Sequence, residues 1–235
     1  VHEQKRDPSA GARRCRHPGF VGLGLGILAL GLGGLVAAQA PNYFQQYPGG
    51  YTRAVYEIVT EGLEDPIRLG WTVEPASASD SDDRLRVVTT NEVIARRDQL
   101  ETGVANGVAQ AQLLLQDEAI QALLANRESL EPHTVFLLSG GARFVTGARE
   151  TIGGVPAICG LLTDPEKPDR RTFLAIAEDP TVPFPPWMQL EEEKPSGGRP
   201  HTLSVCTSLA LTALAPGRRF VEVFRLQLVE FERRE

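Results

Sequence analysis

Apolar and polar positions alternate along much of this chain, and the alternation is cleanest over residues 67–74. There Ile67, Leu69, Trp71 and Val73 fall on one face and Arg68, Thr72 and Glu74 on the other, the period-two pattern of a half-buried β-strand. Residues 84–90 repeat it, with Leu85 and Val87 opposed to Arg84 and Arg86. The acidic stretch PASASDSDD separates the two segments, so they are predicted to form a hairpin-like pair joined by an exposed loop. The period then changes. From Val104 to Leu130 there is no proline, Ala and Leu dominate, and Ile120, Leu123, Leu124 and Arg127 fall at helical spacing. One or two amphipathic helices are expected at about 104–130, with a break after Leu113-Leu114-Leu115, Asp117 as the cap of a second helix over about 118–128, and Pro132 as terminator.

Strand patterns resume at about 133–138, 142–147, 155–163, 171–178, 186–191, 201–214 and 219–231. Ser139-Gly140-Gly141, Gly153-Gly154 and the stretches at 164–169 and 194–200 supply turn residues. Short strands in consecutive order, interrupted by one helical insertion, point to an α+β chain that is mostly β: a curved antiparallel sheet, a half-barrel-like meander with the helical segment laid on its concave face. In element order, over roughly residues 52–231, this is similar to the half-barrel-plus-helix architecture of exported lipoprotein carriers and related bacterial envelope domains. The resemblance is one of architecture and transfers no function; an apolar ligand or a lipid between helix and sheet is expected from the export signal, the β-rich pattern and the lack of a catalytic set.

The N-terminal part has a different character. Phe20 to Ala38 contains no charge and follows Arg13-Arg14-Cys15-Arg16, and a basic region before an apolar run with small residues at its exit is the layout of a secretory signal. Residues 1–38 are read as a signal peptide with a mature start at Gln39, or else as a retained membrane anchor with the body outside; residues 39–51 are read as a linker; and residues 52–235 are read as one extracytoplasmic β-rich domain. Gly24-Leu25-Gly26-Ile27-Leu28-Ala29 matches the loose dinucleotide pattern but lacks its strand–turn–helix setting.

Composition sharpens this division. The formal charge is −6 overall, made of +3 in residues 1–40 and −9 in the remainder. An acidic body argues against nucleic acid as a partner, since phosphate binding needs clustered Lys and Arg.

Candidate chemistry is sparse. His133 and His201 have no neighbouring ligands at zinc spacing. Ser139 has Leu137 where a nucleophile elbow needs glycine, and reads as a turn residue; Ser204 is the other serine weighed as a nucleophile. Asp80-Ser81-Asp82-Asp83 lacks the glycine and the closing glutamate of a calcium loop, and it reads, like Glu191-Glu192-Glu193, as a solvated charge run. No cofactor is expected.

Cys159 and Cys206 sit mid-strand in PAICGLL and LSVCTSL. In an oxidising compartment they are candidates for a disulfide, with two separate buried thiols as the alternative. The segment from Asp179 to Trp187 carries four prolines with Phe184 and Trp187. Phe184, Pro185, Pro186 and Trp187 are read as a stiff arm for docking a partner, or as a rigid crossover whose aromatics cap the sheet. The functional expectation is an exported cell-envelope module that binds an apolar ligand, a lipid or another envelope protein. A membrane-anchored assembly protein using the arm, or a hydrolase centred on Ser139, are the alternatives.

Overall fold

The computed structural model describes residues 43–76, 84–100, 103–194, 206 and 220–234. Among the described residues nine strands form one open, curved antiparallel sheet: β1 Tyr51–Thr60, β2 Ile67–Pro75, β3 Leu85–Glu92, β4 Val135–Leu137, β5 Arg143–Ile152, β6 Val155–Thr163, β7 Arg170–Ala177, β8 Trp187–Glu193 and β9 Phe220–Arg234. Four short α-helices accompany it among the described residues, α1 Tyr43–Gln46, α2 Arg97–Leu100, α3 Gly103–Leu115 and α4 Glu118–Ala125, with single 3-10 turns at Arg127–Ser129 and Ser139–Gly141. The α+β, mostly β reading of the sequence is the observed class.

The strand order is β3-β2-β1-β9-β8-β7-β6-β5-β4. Consecutive pairing holds within β1–β3 and within β4–β9, but it breaks between β3 and β4. The reason is the helical connection, which carries the chain from one edge of the sheet to the other. The first and last strands then meet in the middle, Ala54 opposite Phe231 and Ile58 opposite Leu226. Chain direction forces this arrangement to be antiparallel throughout, so every strand can present one face to the helices.

Strand β1 went unrecognised in the sequence, although Thr52, Ala54, Tyr56 and Ile58 alternate correctly and are all buried. Its outward positions include Val55 and Val59 beside Arg53 and Glu57, which blurs the contrast that marks β2. The expected linker also differs. Tyr43, from within residues 39–51, is 1% exposed and belongs to the main core. The expected strand at 201–214, apart from Cys206, lies outside the described residues, as do the leader, the 24–29 pattern, Asp80–Asp83, His201 and Ser204. Among the described residues no helix is long and apolar enough to cross a membrane.

The helices pack directly on the inner face. Gly107, Ala111 and Leu115 of α3 recur every four residues and are buried. A Cβ at Gly107 would lie 2.8 Å from Thr60 Cγ2 and 3.1 Å from Ile67 Cδ1, so only glycine allows the helix this close. Asp117 breaks the helical run as the sequence predicts, its carboxylate accepting the Ala119 and Ile120 backbone N–H groups at 3.0 and 3.4 Å. Helix α4 then buries Ile120, Leu123 and Leu124 in the same core.

The outer face of the sheet is divided. Across β1, β2, β3 and β9 it is polar and laced with ion pairs: Arg68 with Glu230 at 2.6 Å, Arg53 with Glu230 at 3.7 Å and Arg86 with Glu74 at 2.8 Å. These side chains are exposed except for the half-buried Glu74, and such pairs contribute little to stability. Across β6, β7 and β8 the outer face is instead apolar and buried, forming a second cluster of Ile152, Ala157, Cys159, Phe173, Ala175, Trp187 and Cys206.

Candidate functional site

The proline-rich arm is the crossover between β7 and β8, and it lies inside the protein. Phe184, Pro185, Pro186 and Trp187 are all buried, Phe184 at 2% exposure and Trp187 at 0%. Phe184 stacks edge-on against Tyr56 and Trp71, with centroids 5.5 Å away in each case. Proline and aromatic side chains lose most by remaining in water, so the stiff segment docks on its own sheet. It offers no surface to a partner, and the docking-arm expectation is corrected to the crossover one.

Three side chains pin this crossover through its backbone. The Tyr43 hydroxyl donates to Thr181 O at 3.1 Å. The Tyr56 hydroxyl donates to Phe184 O at 3.1 Å and accepts from Phe184 N at 3.3 Å. Arg127, 4% exposed, donates from Nε to Leu124 O at 2.8 Å and from Nη1 to Asp179 O and Val182 O at 3.1 and 3.3 Å. Burial pushes the Tyr43 and Tyr56 hydroxyls well above the ordinary tyrosine range and lowers Arg127 from its usual value. A raised phenol favours the neutral form in the folded state, so folding stability is intact below about pH 10 and is lost as pH rises beyond it. An alkaline spectrophotometric titration is expected to show two tyrosines ionising only together with unfolding. Two extra tyrosines titrating reversibly near pH 10 in the native protein would contradict the network.

The second cluster holds the cysteines. The sulfurs of Cys159 and Cys206 lie 2.08 Å apart, with Cα atoms 5.5 Å apart, and both residues are 0% exposed. Beside them is a buried ion pair that the sequence reading missed. Glu191, 0% exposed, receives Arg171 Nε at 2.7 Å and Gln189 Nε2 at 2.8 Å. The Arg171 guanidinium also sits 4.1 Å from the Phe220 ring centroid. The run at 191–193 is therefore not uniformly solvated: Glu191 shares the face of Trp187 and Gln189 and is buried there, Glu192 is half-buried, and Glu193, at the end of β8, is exposed. Trp187 Nε1 and Gln189 Oε1 have no hydrogen-bond partner among the described residues.

The residues nominated for catalysis are scattered. His133 is exposed just before β4, with φ of 55°. Ser139 stands in the β4–β5 turn, where Gly140 and Gly141 adopt φ of 73° and 81°. Among the described residues no group of three His, Cys, Asp or Glu side chains is placed to hold a metal. Cavities that reach the surface among the described residues include two. One, of about 70 Å³, is lined by Asp117, Asp164, Lys167 and Arg170 where α4 begins. The other, of about 250 Å³, lies between Val59–Leu63 and Glu222–Val223 at the end of the sheet. The first is lined on the helical side by Leu114 and Ala119 and on the sheet side by Ala142, Leu162 and Leu190, and the second includes Thr60, against which Gly107 packs.

Among the described residues the exposed large apolar side chains are Phe44, Ile94, Leu100 and Leu113, and a group of three at the β4 edge. Val135 and Leu137 of β4 are 55% and 73% exposed, and Val145, paired with Val135 on β5, is 39% exposed. They share the outer face with Arg143, since Phe136 and Phe144 turn inward to the core. No protein-family model matches the chain, and no curated protein matches it.

Proposed function

We propose that this chain is an exported cell-envelope module whose work is to bind another protein. The observation that carries the reading is the buried Cys159–Cys206 pair at bonding distance. A disulfide belongs to an oxidising compartment, and this agrees with the basic-then-apolar leader pattern at residues 13–38. Gly107 packs directly on Thr60 and Ile67, and the cavity between the helices and the sheet is about 70 Å³, small against the roughly 300–1,000 Å³ of a ligand site, which favours a protein partner over a lipid.

Two measurements test the reading. The exported protein, denatured and alkylated without reduction, is expected to remain unlabelled at Cys159 and Cys206 and to take up two labels after reduction. Labelling at both positions without reduction, or recovery of the chain from the cytoplasmic fraction alone, overturns it. The cysteines are separated by 47 positions, so replacing both by serine is expected to cost roughly 3 kcal/mol in urea unfolding.

A further inference from the structure

Taking the protein-binding reading as its basis, we infer that the β4 edge is the binding site, and that it takes an extended segment of the partner carrying aliphatic residues at alternate positions and an acidic residue on the same face.

The backbone of β4 is prepared to accept a further strand. Thr146 N donates to Thr134 O at 2.9 Å, and Leu138 N donates to Ala142 O at 2.9 Å. In an antiparallel ladder the bonded positions alternate, so residues 134, 136 and 138 face β5 while the N–H and C=O groups of Val135 and Leu137 point away from the sheet. The edge is held in place from behind. The hydroxyl of Thr146, 3% exposed, accepts Thr134 N–H at 2.8 Å and donates to Glu131 O at 2.6 Å. A strand fixed before binding loses little entropy on binding.

The side chains set the chemistry. Natural sheets protect a free edge with charge or proline, and β3, the opposite edge, follows that rule with Arg86, Thr90, Asn91 and Glu92 exposed. Edge β4 does the reverse, presenting Val135 and Leu137 with Val145 behind them. Arg143, opposite Leu137, is exposed and makes no ion pair among the described residues. An added strand lies two strands away from Arg143, roughly 10 Å, a gap that a guanidinium and a partner carboxylate close between them. Strand addition then supplies backbone hydrogen bonds, the aliphatic face supplies burial, and Arg143 selects for the acid.

The test uses the full exported chain and the labelled peptide Thr-Val-Thr-Val-Thr-Glu-Thr, with a twin carrying Lys in place of Glu. The Glu peptide is expected to bind saturably and about fivefold more tightly than its twin, the scale of an exposed ion pair gained in one and repelled in the other. Hydrogen exchange is expected to slow at the Val135 and Leu137 amides. Leu137→Pro removes an outward N–H without breaking the internal ladder and is expected to abolish binding. Leu137→Lys, which keeps the backbone intact, is expected to weaken binding while melting at the parent temperature. Arg143→Glu is expected to reverse the preference between the peptides. Equal binding to the Leu137 variants, a peptide preference unmoved by Arg143→Glu, or no saturable binding overturns the inference. So does a dimer of this chain that protects the same two amides. The thiol labelling above reports separately on export, so either reading can fall alone.

Discussion

Gly160→Val is expected to destabilise the protein by about 4 kcal/mol, although valine is the better residue for a strand. Gly160 sits in the middle of β6, opposite Thr146 of β5 and Leu174 of β7. The ring of Phe144, 0% exposed, lies directly over it, and a Cβ at Gly160 would stand 2.1 Å from Phe144 Cζ and 2.2 Å from Cε2. Carbon atoms in contact prefer about 3.5–4.0 Å, so the ring has to move by more than 1 Å within a close-packed core. Losing the burial of a phenylalanine costs roughly 3–5 kcal/mol. The gain in strand propensity is about 1 kcal/mol and has the opposite sign, so the direction of the change decides which effect governs. Urea unfolding with the cysteines oxidised measures it. The double variant Gly160→Val, Phe144→Ala is expected to lose at least about 2 kcal/mol less than the sum of the single losses, because the new side chain fills the space the ring vacates. Equal or increased stability in Gly160→Val would show that the ring does not rest on this glycine.

The sequence was informative where one element alone sets its own pattern. The strand pattern at residues 155–163 is β6 to the residue, and Asp117 caps α4 as its position before the helical run predicts. These features depend on near neighbours along the chain. What escaped notice depends on distant ones. That β9 slots between β1 and β8 cannot be seen in any local period, because it follows from where the helices deliver the chain. Glu191 looked like one of three solvated acids, and only its pairing partner Arg171, twenty positions earlier, makes its burial tolerable. The proline-rich crossover had two physically sensible destinations, and the acceptor surface formed by Tyr56 and Trp71 chose between them. The β4 edge was visible as a strand, but its exposure was not, since alternation reveals which residues share a face and not whether anything covers that face.

Arg127→Ala is expected to cost about 4 kcal/mol, more than a helix-terminal arginine contributes when it lies in solvent. Its guanidinium ties the last turn of α4, through Leu124 O, to two carbonyls of the crossover, Asp179 O and Val182 O. Truncation takes a donor from Leu124 O and Val182 O, at roughly 1–3 kcal/mol for each group left unsatisfied, while Asp179 O, half-buried, keeps the Val182 N–H at 3.2 Å. Part of that loss is offset, because the variant no longer has to desolvate a cation, the same burial that lowers the Arg127 pKa. Arg127→Lys restores the charge but not the fork. One ammonium cannot serve acceptors on two elements with the geometry of a planar guanidinium, so it is expected to recover less than half of the loss. Arg127→Met refills apolar volume without donors and is expected to resemble Ala more than Lys. If Met instead restores the parent stability, packing rather than hydrogen bonding holds the crossover. The aromatic cluster supplies a second readout, because Phe184 is positioned by the same crossover that Arg127 anchors. In the folded Ala variant, Tyr56 is expected to become accessible to tetranitromethane while remaining protected in the parent. Protection unchanged in a destabilised variant would place the effect of Arg127 in α4 alone and separate the helix from the crossover.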